Sequence, residues 1–227
     1  MKNNRWIIVF DFETDGKDHK TCNPTELAAV PVDPDSLEVK TDNIFNVTIK
    51  PENIDKDSYF TDSVNETIAW HAKQREVSNA EIIEKWKNGL PLQVAIKNFY
   101  DYTAKFHIDK RPGQYIVDPI PAGYNIIGYD IPIMERIIKA LGYKKMPFST
   151  ANRFDLYDNI CWWFENLEEP KDLKLDTLRD FLGLKKSGQT HEAIYDVLDT
   201  ANILTRFIKF HRKQASINKF KGAFGNG

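Results

Sequence analysis

Three short apolar runs bounded by polar residues open the chain: Trp6 to Phe12, Glu26 to Val32 and Ile44 to Lys50. Their length and β-branched content predict strands, and their close spacing predicts a meander of three antiparallel strands. Apolar positions then recur at helical intervals. They do so in SNAEIIEKWKNG, in LPLQVAIKNFYDYTAKF, after Asp130 (Ile133, Met134, Ile137, Ile138, Leu141), in NICWWFENL, in LKLDTLRDFLGL and in the long AIYDVLDTANILTRFIKFHRKQ. Tyr115 to Ala122 offers a weaker strand, because Pro119 and Pro121 cannot donate to a ladder. Strands followed by strand and helix alternation predict an α/β fold, a mixed sheet of antiparallel meander plus parallel strands with helices on both faces. No repeat or Gly/Ser linker divides the chain. The expected organisation is one domain over residues 1–210 and a basic, mobile tail over 211–227.

Two acidic clusters lie at opposite ends of this pattern, DFETDG from Asp11 and HEAIYD from His191. Side chains alternate along a strand, so Asp11 and Glu13 share one face and Phe12 takes the other. Two carboxylates aimed at one point repel unless a cation sits between them, and Mg²⁺ or Mn²⁺ suits carboxylate oxygens. The plainer reading is a turn, which Asp15-Gly16 also fits. Asp196 falls in the early turns of the last helix. His191, five residues earlier, would lie about 140° away around an ideal helix, so it belongs on the preceding loop. There an imidazole can accept a proton from water near neutral pH, although a surface or capping role also fits a lone histidine. Between the clusters, Asn125 is flanked by apolar residues, and Asp130 stands where a helix N-cap is expected.

Taken in order, these segments resemble the DnaQ-like 3′-to-5′ exonuclease superfamily, in its histidine-containing DEDDh branch. Asp11 and Glu13 match the first motif, Asp130 the second and Asp196 the third, with His191 in the HxxxxD spacing and TELAAV similar to the family's second strand. The resemblance covers roughly residues 5–210. It implies a ribonuclease H-like fold and two Mg²⁺ or Mn²⁺ ions held by Asp11, Glu13, Asp130 and Asp196. It implies further that His191 is the general base and that nucleoside 5′-monophosphates are released from a 3′ end. Phe12, Thr14, Asp15, Gly16 and Trp70 are then expected near the terminal nucleotide, with Asn125 supporting the site; for Trp70, core packing is the competing expectation. Tyr124 stands where many relatives have histidine, and FHIDKRPGQYIVDPIP is longer than a minimal member needs. The expected substrate is single-stranded DNA rather than RNA. The alternatives are an exoribonuclease and a non-catalytic nucleic-acid-binding module. A separate polymerase or other replication protein is a candidate partner.

Composition fits this picture. A chain of 227 residues with 41% hydrophobic content can bury a core. The net charge is −2, but setting aside the four candidate ligands leaves +2, so a polyanionic substrate is not excluded. Cys22 and Cys161 have no metal-ligand spacing and are expected as free thiols in a reducing compartment. No stretch is long enough to span a membrane and IIVF is too short for a signal-peptide core, so the expected location is cytoplasmic, in a bacterium or in the host cell of a virus. The sequons at Asn46 and Asn65 are then coincidental. Trp162 and Trp163 cannot both point inward from one helix. Arg206, Lys209, Arg212, Lys213, Lys219 and Lys221 form either a phosphate-tracking stripe or a solvated helix end.

Overall fold

The computed structural model describes residues 4–111, 115–188 and 191–217. The meander is present as β1 (Ile7–Thr14), β2 (Pro24–Val32) and β3 (Phe45–Lys50), paired antiparallel. The sheet is completed by β4 (Leu90–Pro91) on one edge and by β7 (Ile120–Gly123) and β8 (Phe154–Asp155) on the other, all three parallel to their neighbours, in the order β4-β3-β2-β1-β7-β8. The segment from Tyr115 to Ala122 does not form one strand. It breaks at Pro119: β6 (Tyr115–Val117) pairs with β5 (Ile108–Arg111) in a separate hairpin, and β7 enters the main sheet.

Side-chain alternation on β1 divides the core. Ile8, Phe10 and Phe12 face α3 (Leu92–Ala104) and α4 (Asp130–Ala140), where they meet Ile96, Phe99, Ile133, Met134 and Ile137. Ile7 and Val9 face the opposite layer, built from α5 (Leu156–Phe164), α6 (Leu175–Phe181) and α7 (Ala193–Ile217). β2 is buried at every position and is apolar apart from Thr25 and Glu26. Asp11 and Glu13 continue the face of Ile7 and Val9, toward the start of α7.

Helix α1 (Asp62–Arg75) was not legible as a helix in the sequence. Thr61 caps it by accepting from the Val64 N–H, and Glu76 in the left-handed region ends it. Its buried residues are Ile68, His71, Ala72 and Arg75, so half of its inward face is polar and the usual apolar stripe is missing. With α2 (Asn79–Lys87) it packs around Ile54, Ile82 and Trp86 in a smaller third cluster. Trp163 packs edge-on against Phe207 and Phe210 of α7, and Trp162 is exposed.

Residues 211–217, assigned from sequence to the basic tail, continue α7; residues 218–227, with Lys219 and Lys221, lie outside the described residues. Arg212 donates to the carbonyls of Pro34 and Asp35. The register Ile7↔Val32 puts that turn at the end of the sheet away from Glu13. The basic end of α7 is about 24 Å along the helix from Asp196.

At Gly123, where β7 ends, a Cβ would lie 2.1 Å from Ile126 Cγ2 and 2.8 Å from the Phe10 carbonyl oxygen. Gly123→Ala is therefore expected to destabilise the fold by about 1–3 kcal/mol, as overpacking does. A thermal melt measures this directly; an unchanged melting temperature would show that the strand end can shift without loss.

Candidate active site

Three elements, β1, α4 and α7, bring their acids together where β1 ends. β1 supplies Asp11 and Glu13. Asp130 is the first residue of α4 and Asp196 lies in the first turn of α7. Two of the acids thus sit at helix N-termini, whose partial positive charge offsets some of the repulsion among them. Asp130 is not the helix cap expected from sequence. Tyr129 occupies that position, and Asp130 Oδ1 accepts the Phe12 N–H at 2.8 Å, locking α4 to β1.

His191 lies on the loop before α7 with φ +61°. Its Nδ1 is 3.9 Å from Asp196 Oδ2. Glu13, His191 and Asp196 each place one ligand atom so that all three lie within 4.8 Å of one another. The two carboxylate oxygens at that separation fit a divalent cation, with Asp11 and Asp130 near them and the imidazole at the edge of the group.

Burial and mutual repulsion shift the acids in the direction of their protonated forms. Burial first, then the charges of Asp130, Glu13 and Asp196, hold Asp11 well above the usual carboxylate range. Burial, with Asp196 and Glu26 adding to it, does the same to Glu13. Burial pushes Asp130 up to about 7, against its hydrogen bond from Phe12. Asp196 also rises to about 7, through burial and the charge of Asp176. Burial pushes His191 below its ordinary value, although Asp176 pulls the other way, a shift that favours the neutral imidazole. His71, buried beneath the site with Nε2 3.2 Å from the Thr14 carbonyl oxygen and 3.9 Å from Glu13 Oε2, falls to about 4, again through burial.

Two cavities flank this cluster. One, of about 430 Å³, is lined by Phe12, Glu13, Thr14, Gly16, Trp70 and Tyr129. The other, of about 560 Å³, is lined by Trp70, Tyr124, Lys174, Asp176, His191 and Asp196. Trp70 borders both. It is 41% exposed and its ring lies 4.4 Å from that of His191, so core packing does not account for it.

The remaining expected residues divide. Thr14 Oγ1 and the Gly16 carbonyl both meet the Tyr129 hydroxyl at 2.8 Å, which shapes the floor of the smaller cavity. Phe12 touches that cavity from the core. Asp15 is engaged internally, accepting from the Asn23 N–H, Asn23 Nδ2 and the Tyr59 hydroxyl. Asn125 is exposed; its backbone at φ +58° makes the turn into α4, and its N–H and that of Ile127 donate to Asp155 at 2.9 Å each. Tyr124, the expected departure from histidine, donates its hydroxyl to the Leu173 carbonyl. The sequence reading missed Tyr129, Asp155, Arg75 and Glu26. Glu26 carried a usable signal, a carboxylate inside an otherwise apolar strand.

The mixed sheet is the one that the resemblance to the DnaQ-like exonucleases implied. Residues 7–208 match the model of the family described as "3′-5′ exoribonuclease Rv2179c-like domain", and the chain belongs to that family. No curated protein sequence matches it. Among solved structures it is similar to cell-death related nuclease 4 (CRN-4), with TM-score 0.65 and 17% identity over 90% of this chain and 64% of that one. It is also similar to E. coli exonuclease I bound to a dT13 oligonucleotide, with TM-score 0.67 and 14% identity over 94% and 43%. A third likeness is exonuclease I from Methylocaldum szegediense, with TM-score 0.66 and 18% identity over 92% and 41%. The chain thus spans less than half the length of the two exonuclease I chains. A zinc-bound form of the E. coli exonuclease I complex with single-stranded DNA shares the fold too. Among the described residues no helix is long and apolar enough to cross a membrane.

An acid whose pKa is higher folded than unfolded holds its proton more tightly in the fold. Asp130 and Asp196 therefore stabilise the metal-free protein at low pH, and that contribution is lost as pH rises from about 4 to about 7. A divalent cation binds the deprotonated form, so Mn²⁺ is expected to raise the melting temperature more at pH 8 than at pH 5. Asp196→Asn is expected to remove most of that increment and to raise the metal-free melting temperature at pH 8. Scanning calorimetry in EDTA and in Mn²⁺ checks both; an increment independent of pH would mean that these carboxylates do not hold the ion.

Proposed function

We propose that this protein is a divalent-cation-dependent 3′-to-5′ exonuclease that shortens single-stranded RNA and releases nucleoside 5′-monophosphates. The observation that carries the reading is the meeting of Glu13, His191 and Asp196 within 4.8 Å, from two segments far apart in sequence. Support for RNA comes from the description of the family to which the chain belongs.

Asp11, Glu13, Asp130 and Asp196 would hold Mg²⁺ or Mn²⁺, which supplies Lewis-acid activation of water and neutralises charge developing on the phosphoryl and leaving 3′ oxygens. His191, neutral and beside Asp196, accepts the proton of the attacking water. Asp130 also holds the Phe12 backbone, so that α4 cannot drift from β1. The terminal nucleoside occupies the cavity over Thr14, Gly16 and Tyr129, with Trp70 offering a ring against which a base can pack. An unpaired end enters without the cost of fraying.

Single-stranded DNA is the second reading, favoured by the deoxyoligonucleotides bound to E. coli exonuclease I on the same fold. A separate replication protein as partner has no observation in its favour.

The test uses 5′-labelled RNA and DNA strands of one sequence with Mg²⁺, Mn²⁺ or EDTA. A ladder shortening from the 3′ end, absent in EDTA and with higher kcat/KM for RNA, is expected. Cleavage of circular strands as readily as linear ones would make the enzyme an endonuclease and overturn the proposal. His191→Ala should lower kcat by about 10²-fold with the cation still bound. Activity should rise with pH as His191 loses its proton. At saturating cation the midpoint should lie below the ordinary histidine value. At limiting cation it should move up, because protons then compete for Asp130 and Asp196. A midpoint unaffected by cation concentration would dissociate the carboxylates from the ion.

A further inference from the structure

His191 is held in an unfavourable backbone conformation for a residue with a side chain, φ +61°. Its backbone meets the Asp196 carboxylate, and its carbonyl is held from α1. Arg75, 4% exposed, directs Nε at 2.9 Å and Nη2 onto the carbonyl oxygen of His191, a two-pronged grip on one peptide group. Its remaining nitrogen, Nη1, donates to Glu26 Oε1 at 2.5 Å. Glu26 is 3% exposed on β2 and is also met by Lys85 Nζ at 2.7 Å, from α2. One turn before Arg75 on the same helix, the Trp70 ring lies 4.4 Å from the imidazole. Backbone and ring of His191 are thus both held by α1, and α1 is anchored to the sheet through Glu26.

From this geometry we infer that Arg75 is a positioning residue for His191. It fixes the left-handed peptide that aims the imidazole at the attacking water, and Glu26 keeps the guanidinium in register. A planar guanidinium is the one side chain that can bond a carbonyl through two nitrogens and a carboxylate through the third. Were Arg75 only a counter-charge for Glu26, the single bond between Nη1 and the carboxylate would suffice, and Lys85 already supplies a cation there. Both remaining nitrogens go to His191 instead. The assignment rests on His191 being the base, as proposed above.

A double-mutant cycle separates the two claims. Arg75→Lys keeps the charge beside Glu26 but cannot grip the carbonyl with two nitrogens. It is expected to lower kcat roughly 10²-fold, the scale of a small misplacement of a catalytic group, with KM and the Mn²⁺-induced rise in melting temperature near wild type. Arg75→Ala should respond in the same way and regain kcat with added guanidinium ion, which rescues a missing prong but not a collapsed fold. In a His191→Ala background, Arg75→Lys should cost little further, because the group it positions is gone. If Arg75→Lys costs as much in that background as in wild type, or leaves kcat unchanged in wild type, Arg75 does not act through His191 and the inference falls. If His191→Ala itself retains full kcat, it is the assignment of the base that fails.

Discussion

Like-charge repulsion at the end of β1 is the constraint that the rest of this structure is arranged to contain. Four carboxylates, two from one strand and one from each of two helices, are brought together and mostly withdrawn from water, which raises the pKa of each. The fold meets part of that cost with its own dipoles, setting Asp130 and Asp196 at helix N-termini. It meets another part with the Phe12 N–H aimed at Asp130. Retained protons relieve the rest in the metal-free protein, and a divalent cation would replace them by binding the deprotonated carboxylates.

The sheet topology explains why the acids meet where they do. β1 runs antiparallel to β2 on one side and parallel to β7 on the other, so the pairing changes sense at β1. Strand ends at such a change of sense are the usual place for ligands. α4 begins only a few residues after β7, and Asp155 ties the intervening turn by accepting from Asn125 and Ile127. On the other side, Arg179 bonds Asp199 and Asp199 accepts the Ser187 N–H, fixing the segment that leads toward His191. The geometry of the candidate site is therefore set by turns on both sides of the strand pair.

Much of this was legible because the chemistry coincides with the boundaries of the hydrophobic pattern. Asp11 and Glu13 stand at the end of an apolar run, Asp130 at the start of a helical one and Asp196 at the start of the longest. Strand alternation alone puts the first two on one face. What could not be read was α1. Its buried face mixes Ile68 and Ala72 with His71 and Arg75, so the 3.6-residue period is carried by residues that no hydrophobicity count recognises. Asp130 misled in a smaller way. Its type and place suit a cap, yet the helix starts at Asp130 itself, which frees the carboxylate to reach across to β1. Asp15 was drawn into the site by proximity in sequence, but Asn23 and Tyr59 take up both its oxygens.

The polar face that hid α1 also explains its place in the fold. A helix whose inward residues were all apolar would bury as well against Trp86 and Ile82, and would touch the site with nothing but carbon. By carrying His71 and Arg75 inward and Trp70 to the rim, α1 closes the site opposite α7 with groups that each meet a different part of it. His71 lies against Glu13 and the Thr14 carbonyl, Arg75 holds the His191 carbonyl, and Trp70 stands between the two cavities. Buried polar groups of this kind contribute less to folding than apolar ones would and are expensive when unpaired. On a helix that lies beside the carboxylates, these groups are explained by what they hold in place, so the polar face that hides α1 in the sequence is the face that meets the site.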